Sequence, residues 1–319
     1  MMSGTKEKGL VLVAGPTASG KSALALALAE AFEGVIINAD SMQVYRELKV
    51  LTARPDRAAL ERAPHRLYGV LPAAPPCSAG RWREMALDEI AAVRRGGQTP
   101  ILVGGTGLYF RALSHGLAPV PEIGPEVRNA AARLLDRLGG ARFHALLAER
   151  DPAMAAKLGP GDRQRLSRAW EVLEATGVSL TEWQALERQG PALEGPVVTL
   201  LLEPPRERLY ARCDARFAAM VEGGAVDEVR ALAGLGLDPE LPVMKALGVR
   251  ELKCYLEGGL TLAQATVAGQ QATRRYAKRQ TTWFRHQMPG ARRVAAQDSE
   301  SLHDEIFPFI CEFLLTGQT

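Results

Sequence analysis

The chain has 319 residues, of which 47% are hydrophobic and 24% are charged, and its formal net charge is +3. This composition is typical of a globular chain with a sizeable core, and the length predicts one large domain or two lobes. No apolar run is long enough to span a bilayer, and the amino terminus lacks a signal-peptide pattern, so we expect no membrane association. The mild basic excess neither establishes nor excludes a nucleic-acid partner.

The spacing of the cysteines argues against two further kinds of site. Cys77, Cys213, Cys254 and Cys311 are scattered, with no Cys-x-x-Cys pair. This pattern indicates neither a zinc site nor a disulfide framework. It favours a protein of the reducing cytoplasm.

The most informative segment reads GPTASGKS and has the pattern of a phosphate-binding loop. It follows an apolar run, Leu10–Ala14, that predicts a buried strand, and it leads into Ser22–Phe32, which predicts a helix. In that context backbone N–H groups and the helix N-terminus bind phosphate oxygens, Lys21 adds a cation and the Ser22 hydroxyl is a ligand for Mg²⁺. A plain glycine turn is the structural alternative. The predicted diphosphate-binding residues are Gly15, Pro16, Thr17, Ala18, Ser19, Gly20, Lys21 and Ser22.

A carboxylate follows the next predicted strand. Val35–Asn38 is a short apolar run, and Asp40 comes directly after it. Ligands of parallel sheets bind at the carboxyl ends of the strands, so we expect Asp40 to face the same crevice as the phosphate loop. Asp40 is therefore the candidate base. The alternatives are that it caps a turn or holds Mg²⁺ through water.

Three further elements are predicted before residue 118. Pro64–Leu71 is a possible strand, Ser78–Arg95 an amphipathic helix and Thr99–Gly104 another strand. Many phosphate-loop NTPases end this last strand with an acid that holds the metal, whereas here Gly104–Gly105 stands in its place. Thr106 then offers a hydroxyl or a helix N-cap.

The pattern of predicted secondary structure changes after Pro119. Short helical patterns at 126–138, 142–150, 163–176 and 181–188 are separated by Pro and Gly, with no strand signal between them. A strand pattern resumes at Val197–Glu203, and a helix at Arg206–Val221 follows. We therefore predict an α/β fold in which residues 1–118 and 197–319 form a P-loop NTPase-like parallel sheet flanked by helices, and residues 119–196 form an all-helical insertion.

Three basic clusters lie on predicted helices, at 162–174, from Arg206 to Arg216, and at 274–286. An arginine beside the apolar stripe of the second helix could reach the crevice and stabilise a leaving diphosphate. The third cluster, on a helix that begins near Thr261, could follow a phosphate backbone. For each cluster, a solvated charged face is the alternative.

These residues leave two enzyme classes open. One is a small-molecule or nucleotide kinase, in which Asp40 activates an acceptor hydroxyl. The other is a transferase in which diphosphate leaves and carbon is attacked. The absent acid at 104–105, the helical insertion and the polybasic helix all fit a small kinase poorly.

Seven segments in order closely resemble the bacterial tRNA dimethylallyltransferase family: GPTASGKS (15–22), NADSMQVYREL (38–48), TARP (52–55), PHRLYGV (64–70), PILVGGTGLYFRAL (100–113), DRQRLSRAWEVLEATG (162–177) and AKRQTTWFR (277–285). The resemblance implies transfer of a dimethylallyl group from its diphosphate to N6 of the adenosine 3′-adjacent to the tRNA anticodon, position 37, with release of diphosphate. It also implies Mg²⁺ as cofactor, tRNA and dimethylallyl diphosphate as partners, a monomer and a cytoplasmic location.

Carried over by position, the resemblance implies a catalytic set of Asp40, Thr17, Lys21, Arg216 and Thr106. The implied metal ligand is Ser22. The implied tRNA contacts, to which the 119–196 insertion contributes, are Asp40, Ser41, Met42, Gln43, Thr106, Arg128, Gln164, Arg165, Leu166, Ser167, Arg168, Lys245, Gly248, Arg250, Lys278, Arg279, Gln280, Thr281, Thr282, Trp283, Phe284 and Arg285. A non-catalytic tRNA-binding module is disfavoured because Lys21, Ser22 and Asp40 complete a reacting set.

Overall fold

The computed structural model describes residues 8–187, 193–295 and 299–317. Its backbone contacts divide the chain into two units, one formed by residues 1–114 with 193–319 and the other by residues 115–192. Within the described residues, no helix is both long and apolar enough to cross a bilayer.

A single parallel sheet is the centre of the first unit, with strand order β3-β2-β4-β1-β5-β6. The strands are β1 (Leu10–Ala14), β2 (Gly34–Asn38), β3 (His65–Arg66), β4 (Thr99–Gly104), β5 (Val197–Leu202) and β6 (Arg292–Val294). Each neighbouring pair is parallel, so the carboxyl ends of all six strands lie along one edge. The predicted P-loop α/β fold class is confirmed.

The helices in chain order are α1 (Lys21–Ala31), α2 (Arg57–Arg62), α3 (Ala79–Arg95), α4 (Gly107–His115), α5 (Pro125–Arg150), α6 (Pro152–Ala155), α7 (Arg163–Thr176), α8 (Leu180–Ala185), α9 (Arg206–Met220), α10 (Val226–Gly234), α11 (Val249–Leu256), α12 (Leu262–Gln287) and α13 (Ser299–Thr316). A π-helical turn at Val221–Ala225 joins α9 to α10, and a 3₁₀ turn at Pro242–Lys245 precedes α11. Thr261 begins α12 with a capping box, in agreement with the predicted start.

Two apolar layers cover the sheet. Along β1, Leu10 and Leu12 pack into one core cluster, whereas Val11 and Val13 pack into the other. Burial on both faces explains why this strand reads as an uninterrupted apolar run in the sequence. The first layer is built with α3, α4 and α9–α12, and the second with α1 and α13.

The second unit is helical, as predicted, and has a core of its own that includes Phe143 and Trp170. The two helices predicted at 126–138 and 142–150 form the two arms of α5, which is broken at Gly139 with φ 73°. The helix predicted to end at Arg188 is observed as α8, which ends at Ala185; Arg188 itself lies outside the described residues. The assignment of 119–196 as a tRNA-contacting domain stays a prediction.

The strand predicted at Pro64–Leu71 is wrong for most of its length. Only His65–Arg66 pairs with β2, because Leu67 and Gly69 both have positive φ and turn the chain away from the sheet. The backbone then pairs with the loop after β2, where the Gly69 N–H donates to the Gln43 carbonyl at 2.8 Å. The short strand β6 and the helices α2, α6, α10, α11 and α13 were not predicted.

Candidate active site

The candidate site lies at the carboxyl edge of the sheet, where the chain leaves β1, β2 and β4. A Cβ built on Gly104 would overlap the Ala39 carbonyl, so glycine allows the ends of β2 and β4 to approach closely. The loop after β4 is anchored there, since the Thr106 N–H donates to the Ala39 carbonyl at 3.3 Å. This packing explains the glycines where other phosphate-loop proteins carry an acid.

The phosphate loop is preformed between β1 and α1. Ala18 and Gly20 have φ values of 63° and 95°, and such left-handed residues turn successive N–H groups toward one concavity that suits an anion. Lys21 folds back over the loop and donates from Nζ to the Pro16 carbonyl at 3.1 Å. The Ser19 hydroxyl is buried without a hydrogen-bond partner in the described residues. The loop therefore has the geometry of a diphosphate cradle.

The helices α9 and α12 bring further groups to this loop. Ala18 packs against a cluster formed by Leu209 and Cys213 of α9 and Ala277 of α12. One turn along α9, Arg216 lies close enough to the cradle for its charge to act on Lys21. Arg216, the arginine that the family resemblance implies, therefore lies near the phosphate loop, and its contact with diphosphate stays a prediction.

Burial lowers the pKa values of both cations, and repulsion from Arg216 adds to the effect on Lys21. Burial lowers the pKa of Lys21 to about 8, with the charge of Arg216 lowering it further and that of Asp40 opposing the shift. Burial also lowers the pKa of Arg216, again opposed by Asp40. Neither cation forms an ion pair with a carboxylate among the described residues. Two desolvated positive charges with no carboxylate in direct contact are an arrangement that favours binding of an anion.

Asp40 is held by its own loop. The Asp40 N–H donates to Asn38 Oδ1 at 2.8 Å, while Asn38 Nδ2 donates to the carbonyls of Asp40 and Leu67 at 3.0 and 3.1 Å. One carboxylate oxygen, Oδ1, accepts the Met42 N–H at 2.9 Å. The other oxygen has no protein donor in the part of the chain that the structure describes. Asp40 is therefore fixed in place with one oxygen available to a substrate.

Thr106 links two loops of the site. Its Oγ1 accepts the Ser41 N–H at 2.9 Å and lies 3.3 Å from the Ser41 hydroxyl. The hydroxyl is therefore bonded to the Asp40 loop, which is a role beyond the helix cap considered from the sequence. Both side chains are half-buried at the edge of the site.

Several aromatic residues lie near the Asp40 loop, and sequence reasoning did not assign them to the site. Burial raises the pKa of Tyr68 and of Tyr276, and the charge of Asp40 adds to both shifts. Trp82 stacks on Tyr109 at 4.1 Å, and its Nε1 donates to the Asn38 carbonyl at 2.9 Å. The spacing of Tyr276 on α12 gave no sign that the charge of Asp40 acts on it.

The residues present fit a Mg²⁺ ion that is held chiefly by the phosphate oxygens. Ser22 is exposed in the first turn of α1, so its hydroxyl is accessible to a metal at the cradle. The described residues contain no group of three or more His, Cys, Asp or Glu side chains that could form a protein cage. Mg²⁺ is commonly bound through few protein ligands together with substrate phosphates and waters, which agrees with this donor set.

Of the predicted tRNA contacts, several have exposed side chains: Arg128, Gln164, Arg165, Lys245, Arg250, Lys278, Arg279, Thr282 and Arg285. Others are half-buried: Asp40, Ser41, Met42, Gln43, Thr106, Ser167, Arg168, Thr281 and Trp283. Some of these cations already have partners, since Lys245 pairs with Glu240 at 2.6 Å and Arg285 with Glu203 at 2.9 Å. Whether any of them contacts tRNA stays a prediction.

Four predicted contacts are corrected because they are buried. Leu166 is 0% exposed in the core of the second unit, and Phe284 is 1% exposed in the core of the first. Gly248 has φ 88° and packs against Leu51 and Phe217. Gln280 is 6% exposed and hydrogen-bonded inside the protein. None of these four presents a side chain to a nucleic acid, because each lies buried against other parts of its own unit.

Comparisons with known proteins agree with this site. The family model described as IPP transferase matches residues 43–287, and one described as isopentenyl transferase matches residues 8–70. A tRNA dimethylallyltransferase of Rhodospirillum centenum is 57% identical over 91% of this chain and 92% of its own length. Another, of Paramagnetospirillum magneticum, is 55% identical over 96% and 97%.

Solved structures agree as well. The tRNA isopentenylpyrophosphate transferase of Bacillus halodurans is 30% identical, with a TM-score of 0.69 and 98% of both chains covered. A eukaryotic dimethylallyltransferase acting on tRNA has a TM-score of 0.79 over 98% of this chain and 80% of its own; at 24% identity it supports the fold. The chain therefore belongs to the IPP transferase family, the family of the tRNA dimethylallyltransferases.

Proposed function

We propose that this protein transfers a dimethylallyl group from dimethylallyl diphosphate to N6 of adenosine 37, 3′-adjacent to the tRNA anticodon, and releases diphosphate. The observation that carries the proposal is that one site holds both an available carboxylate oxygen, on Asp40, and two buried cations. These cations, Lys21 and Arg216, form no ion pair with a carboxylate of the described residues. The activity named for the relatives at 55–57% identity agrees with this arrangement.

On the nucleophile side, Asp40 prepares the amine. The N6 lone pair of adenine is delocalised into the ring, so proton removal as the new bond forms assists the attack. The oxygen of Asp40 that the Met42 N–H does not occupy is the acceptor for that proton. Because Asn38 fixes the loop on both sides of Asp40, little reorganisation is needed when the purine arrives.

On the leaving-group side, negative charge develops on the diphosphate as the carbon–oxygen bond breaks. Lys21, Arg216 and the N–H groups of the phosphate loop stabilise that charge more strongly than the charge of the bound donor. A Mg²⁺ ion held by Ser22 and the phosphate oxygens would supply additional positive charge. Burial of the two cations strengthens these interactions, since water screens them less.

For tRNA, the support is a set of exposed cations. Lys278 of α12 is exposed and has no ion-pair partner among the described residues, and Arg128 and Arg165 are exposed on the helical unit. Such groups would bind the phosphate backbone of an anticodon stem-loop. A monomeric state and a cytoplasmic location stay predictions from the sequence.

The kinase alternative is not supported. It needs a carboxylate that holds the metal at the end of β4, and the close approach of Gly104 to Ala39 leaves no room there for any side chain. The curated relatives reported above are tRNA dimethylallyltransferases.

The test is incubation of the protein with labelled dimethylallyl diphosphate, Mg²⁺ and unmodified tRNA, followed by nuclease digestion and mapping of the label. We expect label at N6 of adenosine 37, and an Asp40→Asn single-turnover rate lower by about 10²-fold or more, with tRNA affinity little changed. Asp304→Asn, at an exposed position on α13, is the matched control. Phosphorylation of a small acceptor by ATP, with no label in tRNA, would refute the proposal.

A further inference from the structure

A buried amide on α12 joins two loops of the candidate site. Gln280 Oε1 accepts the Thr17 N–H of the phosphate loop at 2.8 Å, and Nε2 donates to the Gly105 carbonyl at 2.8 Å. A Cβ on Gly105 would overlap Nε2, so the amide lies directly against that backbone. Both polar atoms of the Gln280 amide are therefore hydrogen-bonded to backbone, at a buried position.

The bond between Gln280 and the Thr17 N–H determines which backbone N–H groups of the phosphate loop remain available to a substrate. The Thr17 N–H is one of the donors in the phosphate loop, and Gln280 occupies it. Within the described residues, the loop N–H groups with no protein acceptor are those of Gly15, Ala18, Gly20, Lys21 and Ser22. Gln280 thus lies beneath the phosphate loop and occupies the Thr17 N–H. The polar group of Thr17 that remains for a ligand is its hydroxyl.

The second bond leads to the candidate base. Directly after Gly105, the Thr106 N–H donates to the Ala39 carbonyl at 3.3 Å, and the Ser41 N–H donates to Thr106 Oγ1 at 2.9 Å. These two bonds fix the residues on either side of Asp40. These hydrogen bonds, together with the Gly105–Thr106 backbone, therefore connect the diphosphate cradle to the loop that carries Asp40, and the Gln280 amide lies between the two.

We propose that Gln280 is a positioning residue for prenyl transfer: it fixes the separation between the diphosphate cradle and Asp40, and so the alignment of donor and acceptor. This inference rests on the proposed function. Gln280 contacts neither substrate in this role, because its polar atoms are both bonded to backbone. It also places α12, whose outer side exposes Lys278 and Thr282, in direct connection with the phosphate loop.

Two variants of nearly the same size as glutamine distinguish a positioning role of Gln280 from a role in packing alone. Gln280→Met keeps the volume and loses both hydrogen bonds, and we expect its single-turnover rate to fall by about 10- to 100-fold, as for a misalignment of about 1 Å. The tRNA KM should change less than twofold, since the side chain is away from the tRNA surface. Gln271→Met, at an exposed site of α12, is the control and should retain the wild-type rate.

Gln280→Glu supplies a readout that a packing role would not give. An ionised carboxylate still accepts the Thr17 N–H but repels the Gly105 carbonyl, whereas a protonated carboxyl donates to that carbonyl as the amide does. The rate of this variant relative to wild type should therefore rise as the pH falls. Lys21, Asp40, Arg216 and Tyr276 are present in both proteins, so the ratio removes the pH dependence that the wild-type rate already has.

The outcomes are distinct. A wild-type protein that prenylates tRNA, with Gln280→Met at the wild-type rate, overturns the positioning role while the proposed function stands. A slow Gln280→Met together with a Gln280→Glu ratio that is independent of pH also overturns it, since the loss would then come from packing. A wild-type protein with no transfer refutes the proposed function itself, which is a separate result.

Discussion

The lowered pKa of Lys21 gives the sharpest test of the electrostatics of the cradle. Burial brings this pKa from 10.5 to about 8, and the charge of Arg216 contributes in the same direction. Between these two values the unfolded chain binds more protons than the folded one, so the free energy of unfolding rises with pH across this window. The difference between these two pKa values corresponds to about 3 kcal/mol, which is the full free-energy penalty for burying the charged lysine below pH 8.

Lys21→Met removes the charge and keeps most of the volume. At pH 7 we expect the variant to be more stable than wild type by up to about 3 kcal/mol, reduced by loss of the bond to the Pro16 carbonyl. The gain should shrink as the pH rises from 8 to 10.5, because wild-type Lys21 then becomes neutral. Urea unfolding of both proteins at a series of pH values measures the difference. Lys278→Met, at an exposed site, should leave the free energy of unfolding nearly unchanged.

The same lysine should report on the ligand. A bound anion favours the charged form, so the pKa of Lys21 should rise when inorganic diphosphate binds, and affinity should fall as the pH rises above 8. Calorimetric titration at pH 8.5 in two buffers of different ionisation enthalpy should show more net proton uptake by wild type than by Lys21→Met, because the ionisation of the diphosphate itself contributes to both. If Lys21→Met is less stable than wild type at pH 7, or if its stability difference is constant from pH 8 to 10.5, the argument from burial is wrong.

Three further predictions concern the other groups. Arg216→Ala should lower the single-turnover prenylation rate by about 10²-fold through loss of leaving-group stabilisation, and an unaltered rate would count against its assignment to the diphosphate. Lys278→Ala should reduce the slope of log affinity for tRNA against log salt by about one unit, whereas an unchanged slope would remove Lys278 from the tRNA surface. Gly104→Ala should destabilise the fold by about 1–3 kcal/mol or more because its Cβ meets the Ala39 carbonyl, while Gly161→Ala, in open space, should be tolerated; equal denaturant midpoints would contradict this.

Some of the site was readable from the sequence because local rules govern it. The phosphate loop, the strand before it and the helix after it are contiguous, and each element has its own strong pattern. The position of Asp40 followed from a general property of parallel sheets, in which strand ends meet at one edge. The family resemblance then linked these segments to one chemistry.

Other features depend on contacts between distant segments. The strand predicted at 64–71 failed because two residues with positive φ turn the chain, and pairing with residues 43–46 competes with the sheet. The spacing on α12 could not distinguish Lys278, which is exposed, from Gln280, which is buried against two loops. Nor did it show that Tyr276 approaches Asp40.

The sequence by itself determined the phosphate loop, the order of strands and helices around it, and the residue types available for charge and proton transfer, because these depend on short-range pattern. The tertiary structure decided which cations stay without a carboxylate, which oxygen of Asp40 is left to accept a proton, and how Gln280 ties the two ends of the site together. Burial and hydrogen bonding are properties of neighbours that lie far apart in the chain, 263 positions for Thr17 and Gln280, and no local pattern encodes them.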